Sequence, residues 1–384
     1  MGLNFFNGGI RFNRHELAGS FGDIGTDFPL VVSLILVCGL DPASVLVMFG
    51  IAQILTGVVY KLPMPVQPLK AMTVIAISQK LTGNILYAGG LAVGMMMLVL
   101  SATGLISWIA RVVPKTVVRG IQFGLGLQLA SLALKDYVPS SGMPGFILAS
   151  VSFFIVLALW GNKKYPAAIV VIFLGIIYAF VFKISLGQIT AAVGFDLPKF
   201  HQPTADELVT GFLVLALPQL CLSIGNSVLA THQVVKDFFP EKRLGVKKIG
   251  FTYSGLNLIM PFFSGIPVCH GSGGIAGHYT FGARTGGSVL IYGSLYLFMG
   301  LFLSHGFKQV IEIFPKPILG VILFFEGVAL LRLIHDLKAS KWEFGLAIMV
   351  GIMAANLPYG YVAALVLGTA LYYLFKRNLL AKWE

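Results

Sequence analysis

Residues 62–79 read LPMPVQPLKAMTVIAISQ, and residues 265–282 read GIPVCHGSGGIAGHYTFG. Each stretch opens on residues that a helix interior rejects and continues as a short run that favours a helix. In the first, Pro63, Pro65 and Pro68 fall within six residues. Proline lacks an N–H and its ring clashes with the preceding turn, so this cluster cannot lie inside a helix. It suits an extended segment ending at Pro68, where proline is favoured as a helix opens, with a short helix running to about Gln79. In the second, Pro267 followed by Gly271, Gly273 and Gly274 marks the same switch. A full membrane crossing takes about 20 apolar residues, so both runs read as half-helices preceded by short extended strands.

The two stretches resemble one another at low identity. Residues 47–72 align without gaps on residues 249–274 at an offset of 202, matching Phe49 to Phe251, Pro65 to Pro267 and Val66 to Val268. Upstream, at an offset of 200, Asp23-Ile24-Gly25-Thr26-Asp27 aligns on Ser223-Ile224-Gly225-Asn226-Ser227.

The rest of the chain explains where such half-helices sit. Of 384 residues, 57% are apolar and only 11% charged, and the mean hydropathy is +0.87. Soluble domains carry about 25% charged residues. These figures exclude a soluble enzyme, a disordered linker and a nucleic-acid-binding module, and they leave a polytopic membrane protein. Cys38, Cys221 and Cys269 are an odd count in apolar stretches and read as packing residues rather than a disulfide framework. The first residues lack the apolar core and small-residue cleavage site of a signal peptide.

Full-length segments are expected at 17–39, 43–61, 85–109, 115–134, 143–161, 165–185, 205–231, 246–264, 287–304, 315–333, 341–357 and 359–375. With the two half-helices this makes fourteen. Placing the N-terminus inside sorts 20 of the 27 Lys/Arg to the cytoplasmic side and six to the outer side, with Lys70 at membrane depth. That asymmetry is what the positive-inside rule demands, so both termini are expected in the cytoplasm. The net charge of +12 therefore marks cytoplasmic loops rather than a nucleic-acid partner. Seven segments per repeat is an odd number, so the two repeats must be inverted in the membrane. Inverted-repeat transporters bind substrate at the midplane between broken helices.

The chemistry expected there is anion binding. Half-helix N-termini present unpaired N–H groups and the positive end of a dipole. Glycines at 271, 273 and 274 let a ligand approach the backbone, Ser272 adds a hydroxyl, and Lys70 adds a full charge. Gln67, Gln219 and Asn226 are neutral hydrogen-bond donors suited to oxyanion oxygens. Ser20 and Thr26, in the broken first segment, and Cys269, beside His270, complete the candidate substrate site. Ionisable groups inside spans are functional candidates. Asp23 and Asp27 lie four residues apart on one helix face, and Asp23 is a candidate proton carrier. His270 is a second, because histidine titrates near working pH. Glu326 falls mid-span with no role assigned. No nucleophile elbow, P-loop lysine or paired-histidine zinc motif occurs, so neither an enzyme, a metal nor a cofactor is expected.

Four strings, GSFGDIGTDFPL, LPMPVQPLKA, LPQLCLSIGNSV and PVCHGSGGIAGHYTFGARTGG, resemble the molybdate transporter family of the sulfate-permease-like superfamily. The resemblance spans roughly residues 15–375. It implies an all-α fold of fourteen segments in a seven-plus-seven inverted repeat, with substrate between half-helices 3 and 10. It also implies a core domain, residues 1–110 and 204–305, that moves against a gate domain, residues 111–203 and 306–384. Related nucleobase transporters carry acidic residues where this chain has Gln219, Asn226, Cys269 and His270, which favours an anion over a nucleobase. The function so implied is a secondary active importer of a tetrahedral oxyanion, molybdate first, with proton coupling. Sulfate or tungstate transport, or an anion channel of the same fold, stand as alternatives. A multi-pass location in the cell (inner) membrane, contact with the lipid bilayer and a homodimer are further expectations.

Overall fold

The structure is a computed structural model, and it describes residues 3–4, 9–160, 167–182, 194–304, 306, 314–357 and 359–377. A short hairpin, β1 (Leu3–Asn4) and β2 (Arg11–Phe12), precedes α1 (Arg14–Ser20), whose N-terminus is capped by the Asn13 side chain. The chain then turns through Phe21–Asp23 into α2 (Ile24–Cys38), so the segment expected at 17–39 is broken in its first third. α3 (Pro42–Tyr60) opens with Pro42 behind an Asp41 cap and stops at Lys61, which takes a left-handed φ of 54°. β3 (Val66–Pro68) and the half-helix α4 (Lys70–Ser78) follow, then α5 (Gly83–Thr103) and α6 (Ile106–Val112). α7 (Lys115–Leu132) continues through a π turn and a 3-10 turn into α8 (Gly142–Ala158), and α9 (Ala167–Phe182) ends the first half.

The second half starts as one interrupted helix. α10 (Ala205–Gly211), α11 (Leu217–Leu222) and α12 (Thr231–Phe238) are joined by π turns at Phe212–Ala216 and Ser223–Ala230, and the run bends by 47° between Leu220 and Ser223. α13 (Val246–Ile259), β4 (Val268–His270), the half-helix α14 (Ser272–Thr280) and α15 (Gly287–Phe302) follow. α16 (Lys316–Arg332), a 3-10 turn (Leu333–Leu337), α17 (Lys341–Asn356) and α18 (Gly360–Lys376) end the described chain.

By length and apolarity alone, four described helical runs can cross a bilayer, five if the bent run counts as one; others are apolar but shorter. The surface fits a lipid solvent: Phe154, Phe173, Ile177, Val181 and Val366 stand exposed on α8, α9 and α18. Two sets of helices pack among themselves. α3 lies along α15, and α5 lies against α10 and α13; separately, α7 packs on α16 and α17, with α8 and α18 outside. Without water, helices associate by close packing of small residues. At the α3–α15 seam, a Cβ on Gly50 would stand 2.6 Å from the carbonyl oxygen of Gly293, and one on Gly293 would stand 2.7 Å from that of Gly50. The two sets meet where α4 lies on α7 and α11 on α18.

Candidate functional site

β3 and β4 pair antiparallel at the heart of the first set, with Val66 opposite His270, Gln67 opposite Cys269 and Pro68 opposite Val268. The central pair is separated by 202 residues, the offset read from the sequence, and α4 and α14 begin and end 202 residues apart. A two-stranded ribbon away from water leaves outer backbone groups without partners, which is costly. Two carboxamides meet that need. Gln53 accepts from the Val66 N–H (2.9 Å) and donates to its carbonyl (2.8 Å). Asn257 does the same for Val268, at 2.9 and 2.7 Å.

The two half-helix N-termini differ. At α4, Gln219 Oε1 accepts from the N–H groups of Ala71 (3.0 Å) and Met72 (3.2 Å), while Gln219 Nε2 donates to Ser223 Oγ (3.1 Å). That helix end is already occupied by a carbonyl dipole. At α14, Gly271 holds the cap position, and among the described residues no side chain hydrogen-bonds the first N–H groups of the helix.

The glycines around it have separate reasons. A Cβ on Gly271 would stand 1.9 Å from Gln67 Oε1, and one on Gly274 would stand 2.5 Å from Asp23 Oδ2 and 2.6 Å from Pro65. Both are there to admit polar side chains of the first repeat. A Cβ on Gly273 would meet nothing within 4 Å. Of the three, it alone faces open space.

Asp23 is buried at the break before α2, and its Oδ2 accepts from Gln67 Nε2 at 2.6 Å. Asp27 is buried one turn on, beside Asp23, as their spacing predicts. The Lys70 ammonium acts electrostatically on Asp23 and on Cys269, whose thiol also meets Ser227. Gln67 and Asp23 are thus joined behind the α14 N-terminus, with Cys269 opposite Gln67 in the strand pair.

Other expected residues lie elsewhere. Successive strand residues face opposite sides. Cys269 faces Ser227, so the His270 ring faces away, 2.7 Å from Thr252 Oγ1 and edge-on to Tyr60. His270 is not brought to the cluster around Asp23. Ser20 is fully buried and donates to the carbonyl of Leu17 (2.7 Å), within its own helix. The side chains of Thr26 and Glu326 lie outside the described residues.

Ser272 and Asn226 line a cavity of about 470 Å³ between the two helix sets. Asn226 stands in the π turn between α11 and α12; π turns inside helices recur at functional sites. The facing wall comes from α7, with Lys115, Arg119 and Gln122. A second cavity, of about 530 Å³, opens at the other end of the same seam, where Ser78, Gln128, Pro218 and Tyr361 lie. Between the two, Ile121 and Leu125 of α7 are fully buried. Sequence reasoning missed Gln53 and Arg119: the first resembled any polar residue in a packed helix, and the second was counted among the loop charges.

A family described as "Molybdate transporter of MFS superfamily" matches residues 15–129 and 211–330. Molybdate transporter 2 of Arabidopsis thaliana is 34% identical over 94% of this chain and 87% of its own length. Molybdate transporter 1 of the same plant is 32% identical over 92% and 87%, and molybdate transporter 1 of Chlamydomonas reinhardtii 24% over 91% and 90%. Among solved structures, the transmembrane domain of the cyanobacterial bicarbonate transporter BicA superposes with a TM-score of 0.66 at 17% identity, covering 90% of this chain and 97% of that domain. The murine anion transporter Slc26a9 in its inward-facing state gives 0.69 at 14% identity, covering 97% and 70%.

Proposed function

The chain belongs to the molybdate transporter family, and from that premise we propose that it imports a tetrahedral oxyanion, molybdate, by alternating access. The observation that carries this reading is the uncapped α14 N-terminus, with Ser272 and Asn226 at a cavity between two separately packed helix sets. Backbone N–H groups, a hydroxyl and a carboxamide offer a dianion many donors, and Lys70 adds charge within electrostatic reach. The relatives it matches are transporters, which supports carriage rather than catalysis.

Two cavities at opposite ends of one seam, closed between, favour a carrier over an open channel. The first set of helices, carrying both half-helices, would be the moving core, and the set around α7 and α16 the gate. Major-facilitator halves are parallel repeats of six spans. The strand-crossed half-helices and the bicarbonate-transporter likeness point instead to a core that slides against its gate.

Asp23 is the proposed coupling group. It stands against Gly274, so a negative Asp23 opposes the bound dianion and a protonated one does not. The excess of basic residues on one side supports cytoplasmic termini in the cell membrane. A homodimer is retained as the assembly to test by mass measurement in detergent.

The deciding experiment is radiolabelled uptake into liposomes holding the purified protein, with molybdate, sulfate, tungstate and uracil side by side. Saturable molybdate uptake, competed by tungstate, less by sulfate and not by uracil, is expected. No oxyanion uptake at any imposed pH gradient refutes the reading.

A further inference from the structure

We propose that Arg119 is the gate-side half of the anion site and that Asp336 is its internal stand-in, occupying the guanidinium until the dianion displaces it. The inference rests on the oxyanion reading above and deepens it by naming what meets the substrate from the wall opposite α14.

The placement of the charge comes first. Lys115 is the first residue of α7, and Arg119 lies four positions on. The N-terminal turn of a helix is electropositive and favours acids, so cations there are destabilising. Like charges four apart on one helix face repel as well. Lys115 is therefore ill placed on the first turn, and Arg119, one turn on, adds its repulsion.

Their partners come next. Both reach one carboxylate oxygen, Asp336 Oδ2, on the 3-10 turn after α16: Lys115 Nζ at 3.0 Å, and Arg119 through Nη2. Arg119 Nη1 donates to Gln122 Oε1 at 2.9 Å. Arg119 Nε is buried with no hydrogen-bond partner among the described residues. Its side chain is only 20% exposed, whereas Lys115 is 64% exposed. Two cations sharing one carboxylate leave a net positive charge on this wall. The same wall lines the 470 Å³ cavity that Ser272 and Asn226 line from the core side. A guanidinium matches two oxygens of a tetrahedral dianion with parallel N–H donors, a fit that an ammonium does not offer.

A purely structural ion pair between α7 and the 3-10 turn is the competing account, and the two differ in what Asp336 does. If Arg119 serves only to satisfy Asp336, neutralising both together restores function. If Arg119 binds the anion, neutralising both does not.

The test is molybdate uptake by the full chain in liposomes, with KM and maximal rate measured separately and folding checked by thermal melting in detergent. Arg119→Gln is expected to raise KM at least tenfold with the protein folded, and Arg119→Lys to recover only part of that loss. Asp336→Asn is expected to lower KM and slow the maximal rate, because the freed guanidinium holds its cargo. Arg119→Gln with Asp336→Asn keeps the raised KM. A wild-type KM in Arg119→Gln, or its recovery in the double variant, overturns the proposal. Should Arg119→Gln fail to fold, Asp336→Asn decides: an unchanged KM overturns the proposal. Absence of oxyanion uptake by the unaltered protein would instead refute the function itself.

Discussion

The three glycines at the start of α14 divide into two kinds, and alanine replacements separate them. In Gly274→Ala the new methyl would lie 2.5 Å from Asp23 Oδ2 and 2.6 Å from the Pro65 ring. A proline ring held beside β3 cannot swing aside as a long side chain does. Forced overpacking of this kind costs about 1–3 kcal/mol. Gly271→Ala is worse placed, at 1.9 Å from Gln67 Oε1, and relief there means moving the amide that donates to Asp23. Gly273→Ala meets nothing within 4 Å. Alanine is better than glycine inside a helix by about 0.5–1 kcal/mol, so this variant should be no less stable than the parent. Its methyl, however, stands where an anion would approach the N–H groups. Thermal melting in detergent is therefore expected to rank Gly273→Ala with the parent, Gly274→Ala below it and Gly271→Ala lowest. Molybdate KM is expected to rise in Gly273→Ala although its fold is intact. A parent-like KM in Gly273→Ala refutes this end of α14 as the binding surface; a parent-like melting point in Gly274→Ala refutes the packing account.

Three further outcomes can be checked with the same assays. Gln219→Leu leaves the Ala71 and Met72 N–H groups without their acceptor, at a cost of about 1–3 kcal/mol per unmet buried group, read as a lower melting temperature. Asp23→Asn is expected to flatten the pH dependence of uptake; a dependence as steep as the parent's removes Asp23 as the coupling group. At the N-terminal end of α3, burial works to raise the Asp41 carboxyl, but Lys199 (2.5 Å) and the Ser44 hydroxyl and N–H together outweigh it and hold the group below its ordinary value. A depressed carboxyl stabilises the fold fully above its unfolded pKa of about 3.9 and loses that contribution as pH falls through the folded value. Between pH 6 and pH 3 the parent should therefore lose more stability than Asp41→Asn, by about 0.2–1 kcal/mol for so exposed a pair, and equal losses count against the pairing.

The broken elements were legible because their signal is local and steric. Three prolines around Val66 forbid a helix whatever surrounds them, and the related stretch 202 residues on carries its own breakers in Pro267 and Gly271. Side-chain partners were not legible in the same way. The acceptor for Ala71 lies 148 residues away, so no local pattern marks Gln219 as a cap. Nothing in the string HGSGG tells that two glycines make room for Gln67 and Asp23 while the third faces open space. The π turn that carries Asn226 has no compositional mark either. One available signal went unused: strand alternation forbids Cys269 and His270 from facing the same site. Arg119 was sorted by the side of the membrane it marks, and its depth along α7 carried the further information.

The two repeats are related in backbone and unlike in side chains, and the difference bears on how many anions are held. An inverted repeat that kept its symmetry in full would offer two equivalent helix N-termini across the β3–β4 crossing, and two dianions there would repel strongly in a medium of low dielectric. Gln219 removes one of these ends by placing its own carbonyl on it. At the other end the first repeat supplies Gln67 and Asp23, which pack against Gly271 and Gly274 and leave Gly273 open. The second repeat thus caps the half-helix of the first, and the first repeat packs Gln67 and Asp23 against the proposed site on the second. On the proposed reading, that exchange leaves one helix end for one dianion beside the buried Asp23 and Asp27, and one cargo per cycle is the stoichiometry expected.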